Sequence, residues 1–218
     1  MNTAAKMNKF LVCALSAAAI AISNAALADR NFLPVQATAR NAMVKTLGAA
    51  NAGVSMGDEA STFGRFVGAW DVDYTFYRDN GRIVHKKGEL LFGWVLDGNA
   101  LQDIWITYPA QGEKERKLGT SVRFFDSALK RWRVVFVSPQ FNYLVTVQGG
   151  LEGKRIVLTG IDSDGAPIRW SFNDIKPGSF VFHGEKSHDG GKTWRLEEEH
   201  HMTRRDPAAT SATEQARD

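Results

Sequence analysis

The sequence predicts an all-β protein, built as a single antiparallel up-and-down barrel of about ten strands with a short N-terminal helical segment. Gly68 and Trp70 open a run of about ten segments in which apolar and polar residues alternate, as in half-buried strands. Short turn sequences separate these segments, which favours pairing of each strand with the next one. Closing such a sheet on itself removes its exposed edges, and a two-sheet sandwich is the alternative.

The predicted elements follow in order from a short helical turn at residues 61–67, with Ser61 as its N-cap and Phe63 and Phe66 on one face. The first strand alternates from Trp70 onwards, and the second is predicted to bend at a glycine. The ten strands are predicted at residues 70–77, 83–96, 100–108, 119–125, 132–137, 141–147, 155–160, 168–175, 179–185 and 194–204.

Turn sequences rich in glycine, asparagine and aspartate lie between these strands. Residues 79–81, Asp-Asn-Gly, are a strong signal for a tight hairpin. Gly149 and Gly150 are predicted to form the turn that follows the sixth strand. Either Gly88 or Gly93 is the predicted site of the bend in the long second strand.

The N-terminal segment has the pattern of an export signal. Lys6 and Lys9 precede a short apolar stretch, and residues 26–28 form an Ala-Leu-Ala cleavage sequence. Residues 1–28 are therefore predicted to be a signal peptide, with Asp29 as the first residue of the mature chain. The apolar stretch is too short to span a bilayer, and the sequence predicts no transmembrane segment.

The rest of the chain is predicted to form one domain with two flanking segments. Residues 29–60 are an N-terminal arm, partly disordered or helical, residues 61–205 form the barrel, and residues 206–218 are a disordered tail. Cys13 lies within the signal peptide, so the mature chain has no cysteine, as is ordinary for a bacterial periplasmic protein. The predicted location is therefore the bacterial periplasm or the medium outside the cell.

Charge and metal-ligand patterns exclude several classes of function. The formal net charge of +3 falls to +1 without Lys6 and Lys9, which gives no reason to expect a nucleic-acid partner. His200 and His201 are adjacent and point to opposite faces of a strand, so they cannot both bind one ion. With no other ligand spacing in the sequence, no metal site is predicted.

The Gly-x-Trp sequence at residues 68–70 resembles that of the lipocalins and fatty-acid-binding proteins, the calycin superfamily. In those proteins the indole packs across the closed end of the barrel, and an arginine of the last strand lies over it. The resemblance implies this role for Trp70, with Arg204 or Arg205 as the covering residue. More narrowly, the segments 98–105, 119–126, 169–172 and 189–194 resemble a bacterial family of secreted calycin-like proteins, a resemblance that covers about residues 60–205 and implies no activity.

Residues 187–194 match the Asp-box sequence S-x-D-x-G-x-T-W that is found in sialidases and other propellers. Its serine and aspartate bond backbone groups of a tight hairpin, and its tryptophan packs beneath. Because this chain has one copy and is too short for a propeller, a structural hairpin is predicted and glycosidase chemistry is not.

The last predicted strand places a carboxylate and an imidazole in the barrel. If Trp194 and Leu196 face the lumen, Glu198 and His200 do so too, while the alternate face is polar and faces water. A buried carboxylate and imidazole are costly unless they pair with each other or with a ligand. They are therefore interpreted either as an internal polar pair or as contacts to a bound molecule.

The third and fourth predicted strands contribute a second polar pair. Asp103 alternates with Leu101 and Trp105, and Arg123 on the neighbouring strand is its predicted partner. Tryptophans 70, 94, 105, 170 and 194 could all line the lumen. The candidate ligand-binding residues of the lumen are Trp70, Tyr74, Trp105, Asp103, Arg123, Glu198 and His200.

These features favour binding of a small hydrophobic molecule, apolar or aromatic, inside the barrel. Three alternatives stay open. One is a calycin-type enzyme with Glu198 and His200 as an acid–base pair, and another is haem binding, since His200 has a nitrobindin-like place on the last strand. The third is a protein-interaction or envelope structural role. No catalytic residue and no oligomeric state follow from the sequence.

Overall fold

The computed structural model describes residues 37–206. The predicted signal peptide and residues 207–218 of the predicted tail lie outside the described residues. The chain divides into a first unit that ends at Leu47 and a second that begins at Gly48. Of the first unit, the described part is one helix, α1, at residues 37–47. No helix within residues 37–206 is both long and apolar enough to cross a bilayer.

The second unit holds eleven strands and three short helical segments. Strand β1 has two residues, Gly48–Ala49, and the helical segments are a 3-10 helix at Val54–Glu59, α2 at Ala60–Gly64 and a 3-10 helix at Pro139–Phe141. The other strands are β2 (Gly68–Tyr77), β3 (Ile83–Val95), β4 (Ala100–Thr107), β5 (Lys117–Asp126), β6 (Arg131–Ser138), β7 (Tyr143–Glu152), β8 (Arg155–Ile161), β9 (Pro167–Lys176), β10 (Ser179–Lys186) and β11 (Arg195–Arg204).

Strands β2 to β11 form a closed antiparallel barrel, which confirms the predicted fold class. Each strand pairs with the next in the sequence. Strand β11 also pairs with β2, where His200 lies opposite Tyr74 and Arg204 lies opposite Trp70. This pairing closes the ring, so that no barrel strand is left with an unpaired edge along its whole length.

Aromatic side chains fill one end of the barrel. Phe63 and Phe66, on and just after α2, are fully buried beneath the strands. The Phe66 ring lies 4.3 Å from that of Phe180, and the Phe63 ring lies 4.9 Å from that of Trp132. Such tilted and edge-to-face contacts add to the burial of apolar area. The α2 segment therefore closes this end of the barrel and leaves the interior open from the other.

Two local predictions were wrong. The turn between β7 and β8 is formed around Gly153, with a φ of +63°, and not by Gly149 and Gly150, which lie within β7. At Gly149 an added Cβ would meet the Val157 carbonyl oxygen at 2.0 Å, so this glycine allows close strand approach. Ser61 is not an N-cap, because it lies inside α2 and its hydroxyl donates to the Asp58 carbonyl.

The Asp-box sequence forms the local hairpin before β11. The Asp189 carboxylate accepts from the Thr193 hydroxyl at 2.6 Å and from the Thr193 and Lys192 N–H groups. The Ser187 hydroxyl donates to Asp189 and accepts from the Gly191 N–H. Hydrogen bonding, first of all from the Thr193 hydroxyl, lowers the pKa of Asp189 to about 2. These hydrogen bonds all lie within the loop. The serine, aspartate and threonine of the Asp-box sequence therefore serve to hold the hairpin in shape.

Candidate functional site in the barrel interior

The barrel encloses a cavity of about 400 Å³. Its inner end rests on Phe172 and Arg123, both of which contact Phe63 above the closed end. Aromatic residues are the largest group in the wall, and aliphatic, hydroxyl-bearing and charged residues make up most of the rest. The aromatic lining residues are Tyr74, Phe76, Trp105, Phe136, Phe141, Tyr143, Trp170, Phe172 and Phe182.

His200 is the buried polar residue at the centre of this aromatic wall. Its side chain is 3% exposed, and its ring stacks on Phe182 at 5.4 Å between ring centres. The rings of Tyr74, Phe76 and Trp105 lie 4.8, 5.1 and 5.8 Å away. Its Nε2 lies 3.3 Å from a Glu198 carboxylate oxygen, whereas the buried Nδ1 has no hydrogen-bond partner within the described residues.

The direction of His200 follows from its place in β11. His200 is buried and the adjacent His201 is exposed, with its Nε2 3.0 Å from Glu199. His200 therefore faces the interior and His201 faces water, as alternation along a strand requires for neighbouring residues. The Glu198 side chain also lines the cavity, but it is 40% exposed, which places it towards the mouth.

The first part of the last strand does not follow the predicted alternation. Leu196 pairs with Glu185 and Glu198 pairs with Gly184, so that Glu197 is an extra residue in a β-bulge. Because of the bulge, Glu197 lines the cavity together with Glu198, whereas Leu196 does not. Trp194 precedes the strand, and the Arg169 guanidinium lies 4.3 Å from its ring centre. The prediction that Trp194 and Leu196 share the inward face with His200 was wrong for this reason.

Asp103 and Arg123 form the buried pair that the sequence suggested. Arg123 donates through Nη2 to Asp103, which also accepts from the Ser121 N–H at 2.9 Å. The Arg123 guanidinium lies 4.7 Å from the ring centre of Phe63 and 5.1 Å from that of Phe92. Its Nε and Nη1 are buried and have no hydrogen-bond partner among residues 37–206. Burial lowers the pKa of Arg123 to about 9, so the group is still cationic at neutral pH.

Two of the predicted lumen residues do not reach the cavity. Tyr74, Trp105, Arg123, Glu198 and His200 line it, whereas Asp103 lies behind Arg123 and Trp70 lies in the closed end. Trp170 is the other tryptophan of the lining, and the remaining tryptophans that could have lined it do not.

Trp70 and Trp132 belong to the packed end of the barrel. The Trp70 Nε1 donates to the Phe66 carbonyl at 2.7 Å, and Arg204 covers the ring at 4.0 Å, as the calycin resemblance implied. Trp132, for which the sequence pattern predicted no place in the lumen, is also fully buried there against Phe63. This end is therefore structural.

Several lining residues were missed from the sequence. The alternation in β6, β9 and β10 would have placed one set of side chains inside, but it does not say how far along the barrel each one lies. The register between strands supplies that information. The missed aromatic residues of the lining are Phe76, Phe136, Phe141, Tyr143, Phe172 and Phe182.

Most charged groups near the mouth are paired with residues outside the cavity. Glu185 accepts two hydrogen bonds of 2.8 Å from Arg169, and Glu197 pairs with Arg195. Asp162 lies 2.6 Å from the Lys186 Nζ in the same way. The charges of these carboxylates are thus balanced by neighbouring cations. The Lys86 ammonium is likewise paired with Glu113 at 2.7 Å.

No three metal-ligating side chains come together anywhere in residues 37–206. Burial raises the pKa of the Tyr74 hydroxyl far above its ordinary value, and the Glu198 charge adds to this effect. The cavity thus offers aromatic surface, phenol and aliphatic hydroxyl groups, an imidazole beside the Glu198 carboxylate, and a guanidinium that is already paired.

The fold is similar to those of other barrels of known structure. The chain matches Rv2717c from M. tuberculosis with a TM-score of 0.52 and 12% identity, over 68% of this chain and 98% of that one. It matches the S-type phycobiliprotein lyase CPES from Guillardia theta with a TM-score of 0.49 and 13% identity, over 66% and 90% of the two chains. No protein-family model and no curated protein sequence matches the chain. At these identities the likeness concerns the fold alone, a closed antiparallel β-barrel.

Proposed function

We propose that this chain is an exported protein that binds a small, largely apolar aromatic molecule inside its barrel. The observation that carries the proposal is the cavity of about 400 Å³, in whose wall aromatic residues are the largest group, with the buried His200 among them. Pockets for small ligands are commonly of this size, and they combine apolar walls with a few polar groups that orient the ligand. The packed end below Arg123 makes the other end of the barrel the route of entry.

A calycin-type enzyme is the second candidate. The observation that favours it is the contact of 3.3 Å between the His200 Nε2 and Glu198, because a carboxylate that orients an imidazole is a common acid–base arrangement. In that case the bound molecule would be converted as well as held. Product analysis after incubation with the ligand found by the binding test distinguishes the two functions.

Haem does not fit the cavity as it stands. An axial histidine needs open space above one ring nitrogen for the face of the porphyrin. In this protein the His200 Nε2 faces Glu198, and four aromatic rings lie within 5.8 Å of the imidazole. The residues around His200 therefore do not suit a haem group.

The binding test uses N-phenyl-1-naphthylamine, an uncharged aromatic probe whose fluorescence rises in apolar surroundings. Ser121→Leu adds three carbon atoms to a buried side chain that lines the cavity. We expect this variant to weaken probe binding by about tenfold or more, which corresponds to about 1.4 kcal/mol. Thr146→Leu, on the exposed outer face of β7, is the matched control and should bind as the wild type does. Equal binding by both variants, or no binding by the wild type, contradicts the proposal.

A further inference from the structure

We infer that the molecule bound in the cavity is uncharged where it meets Arg123, accepts a hydrogen bond from Arg123 and donates one to His200. This inference rests on the proposed binding function and names the class of ligand. It excludes fatty acids and other carboxylates that would lie with their charge at the inner end. A hydroxylated aromatic carbonyl compound is a molecule of the inferred class.

The charge at the inner end of the cavity is already balanced. The Arg123 guanidinium is 2% exposed and is already in contact with the fully buried Asp103. A ligand carboxylate beside Arg123 would make one cation face two anions in a region without water. A buried, uncompensated charge of this kind is strongly unfavourable. The pair therefore selects against an anion, although an isolated buried arginine would select for one.

Arg123 can still make further hydrogen bonds. Its Nε and Nη1 carry N–H groups that are buried and find no acceptor within residues 37–206. Buried donors without acceptors are costly, so a ligand that supplies one gains binding free energy. Because charge is already balanced, a neutral oxygen such as a carbonyl satisfies these donors best.

His200 can also make a further hydrogen bond. A carboxylate can only accept, so the contact with Glu198 places the proton of a neutral imidazole on Nε2. The lone pair of Nδ1 is then an acceptor, and this atom is buried without a partner among the described side chains and backbone. A hydroxyl or N–H group of the ligand can donate to it. Arg123 and His200 thus call for opposite hydrogen-bonding groups on the same molecule, beside the other polar side chains of the wall, such as Thr107.

The charges at the mouth do not alter this selection. Glu185, Glu197 and Asp162 are each paired with an arginine or lysine outside the cavity. Glu198 has only His200 as its partner, but its side chain is 40% exposed, so water screens its charge. Lys117 and Arg78 also line the mouth, but they lie at the solvent side, where water screens charge. Selection by charge is therefore assigned to the inner pair, which is screened least.

The experiment measures how four naphthalene compounds displace N-phenyl-1-naphthylamine at pH 7. Two of them, 2-acetylnaphthalene and 2-naphthoate, have nearly the same shape and differ in charge. The other two, 2-naphthol and 2-methoxynaphthalene, differ in the ability to donate a hydrogen bond. We expect 2-acetylnaphthalene to bind at least about 100-fold more tightly than 2-naphthoate. We expect 2-naphthol to bind about fivefold to tenfold more tightly than its methyl ether.

Two variants assign these preferences to residues. Asp103→Asn keeps an oxygen for the Ser121 N–H but leaves the Arg123 charge unbalanced. It should reduce the preference against 2-naphthoate by about tenfold or more. His200→Phe removes the Nδ1 acceptor and should bring the ratio of 2-naphthol to its ether close to one. His201→Phe, on the outer face, is the control and should keep the wild-type ratio.

The outcomes separate this inference from the function on which it rests. Tighter binding of 2-naphthoate than of 2-acetylnaphthalene by the wild type overturns the inference while confirming a binding cavity. So does an unchanged preference for 2-naphthol in His200→Phe. If none of the four compounds displaces the probe, or the probe itself does not bind, the proposed function fails and the inference fails with it. The comparison of acetyl and carboxylate compounds uses the wild type, so it stands even if Asp103→Asn does not fold.

Discussion

The guanidinium of Arg204 lies 4.0 Å from the ring centre of Trp70, at the point where the last barrel strand pairs with the first. It also donates to the carbonyl groups of Arg65, Val67 and Pro177, at 2.7 to 2.8 Å. One side chain thus ties the segment after α2, the first strand and the β9–β10 turn together. We therefore expect the closed end of the barrel, and with it the cavity, to depend on this contact.

Trp70→Ala should therefore destabilise the fold strongly. The indole is fully buried, and its removal leaves a large cavity under Arg204 and an unpaired Phe66 carbonyl. We expect a loss of about 3–5 kcal/mol in the free energy of unfolding, measured with urea. Trp194→Ala, at a half-buried position under Arg169, is the matched control and should cost less. A loss below about 1 kcal/mol for Trp70→Ala would mean that this residue does not hold the closed end.

Arg204→Lys tests the covering residue itself. Lysine keeps the charge but cannot reach three carbonyl groups in different directions, since it lacks the planar fork of arginine. We expect a loss of about 1–3 kcal/mol in urea unfolding, because three charge-assisted hydrogen bonds and the packing of the guanidinium on Trp70 are lost. Arg131→Lys, at an exposed position whose guanidinium bonds only the Leu129 carbonyl among the contacts described, should change stability by less than about 0.5 kcal/mol. Equal effects of the two substitutions would contradict the role of Arg204.

His200→Phe should leave the barrel as stable as the wild type, or make it more stable. The substitution places an apolar ring among four aromatic rings and removes a buried nitrogen without a partner. A residue kept for ligand contact, at a cost to the fold, behaves in this way. Urea unfolding of His200→Phe beside His201→Phe is the measurement. A loss of more than about 1 kcal/mol for His200→Phe alone would show that the histidine serves the fold.

The Asp-box hairpin should lose stability in acid. The pKa of Asp189 is lowered from 3.8 to about 2, chiefly by the hydrogen bond from the Thr193 hydroxyl. The ionised carboxylate therefore stabilises the folded state above pH 4, and this contribution disappears as the pH falls through 4 to about 2. The difference in urea midpoint between the wild type and Asp189→Asn should shrink over that interval. A difference that stays constant from pH 6 to pH 2 would exclude this linkage.

Export should produce a chain that begins at Asp29. The basic and apolar start of the sequence and its Ala-Leu-Ala site predict cleavage after Ala28. N-terminal sequencing and intact-mass measurement of material from a periplasmic extract test this outcome. Ala28→Arg should block processing and leave the precursor. A mature protein that still contains Cys13 would rule the prediction out.

Much of the fold could be predicted from residue patterns because they are local. Alternation from Trp70 onwards indicates half-buried strands, and turn sequences such as Asp79-Asn80-Gly81 indicate antiparallel neighbours. Local patterns also showed that His200 and His201 face opposite sides of the strand, and the structure places His200 inside. The errors arose where local signals compete. Gly149 was interpreted as a turn residue, but it serves close packing of β7 on β8, and the turn falls at Gly153.

The sequence by itself predicted an antiparallel barrel in which each strand pairs with the next, and some of the polar residues of its interior. The tertiary structure alone decided how deep each of them lies. The register of ten paired strands puts Trp70 in the packed end, Arg123 at the cavity floor and Glu198 at the mouth. The bulge at Glu197 changes which side chains of the last strand face inward, and the alternation of apolar and polar residues does not predict this bulge. Depth and register arise from contacts between distant segments, so they appear only when the barrel closes.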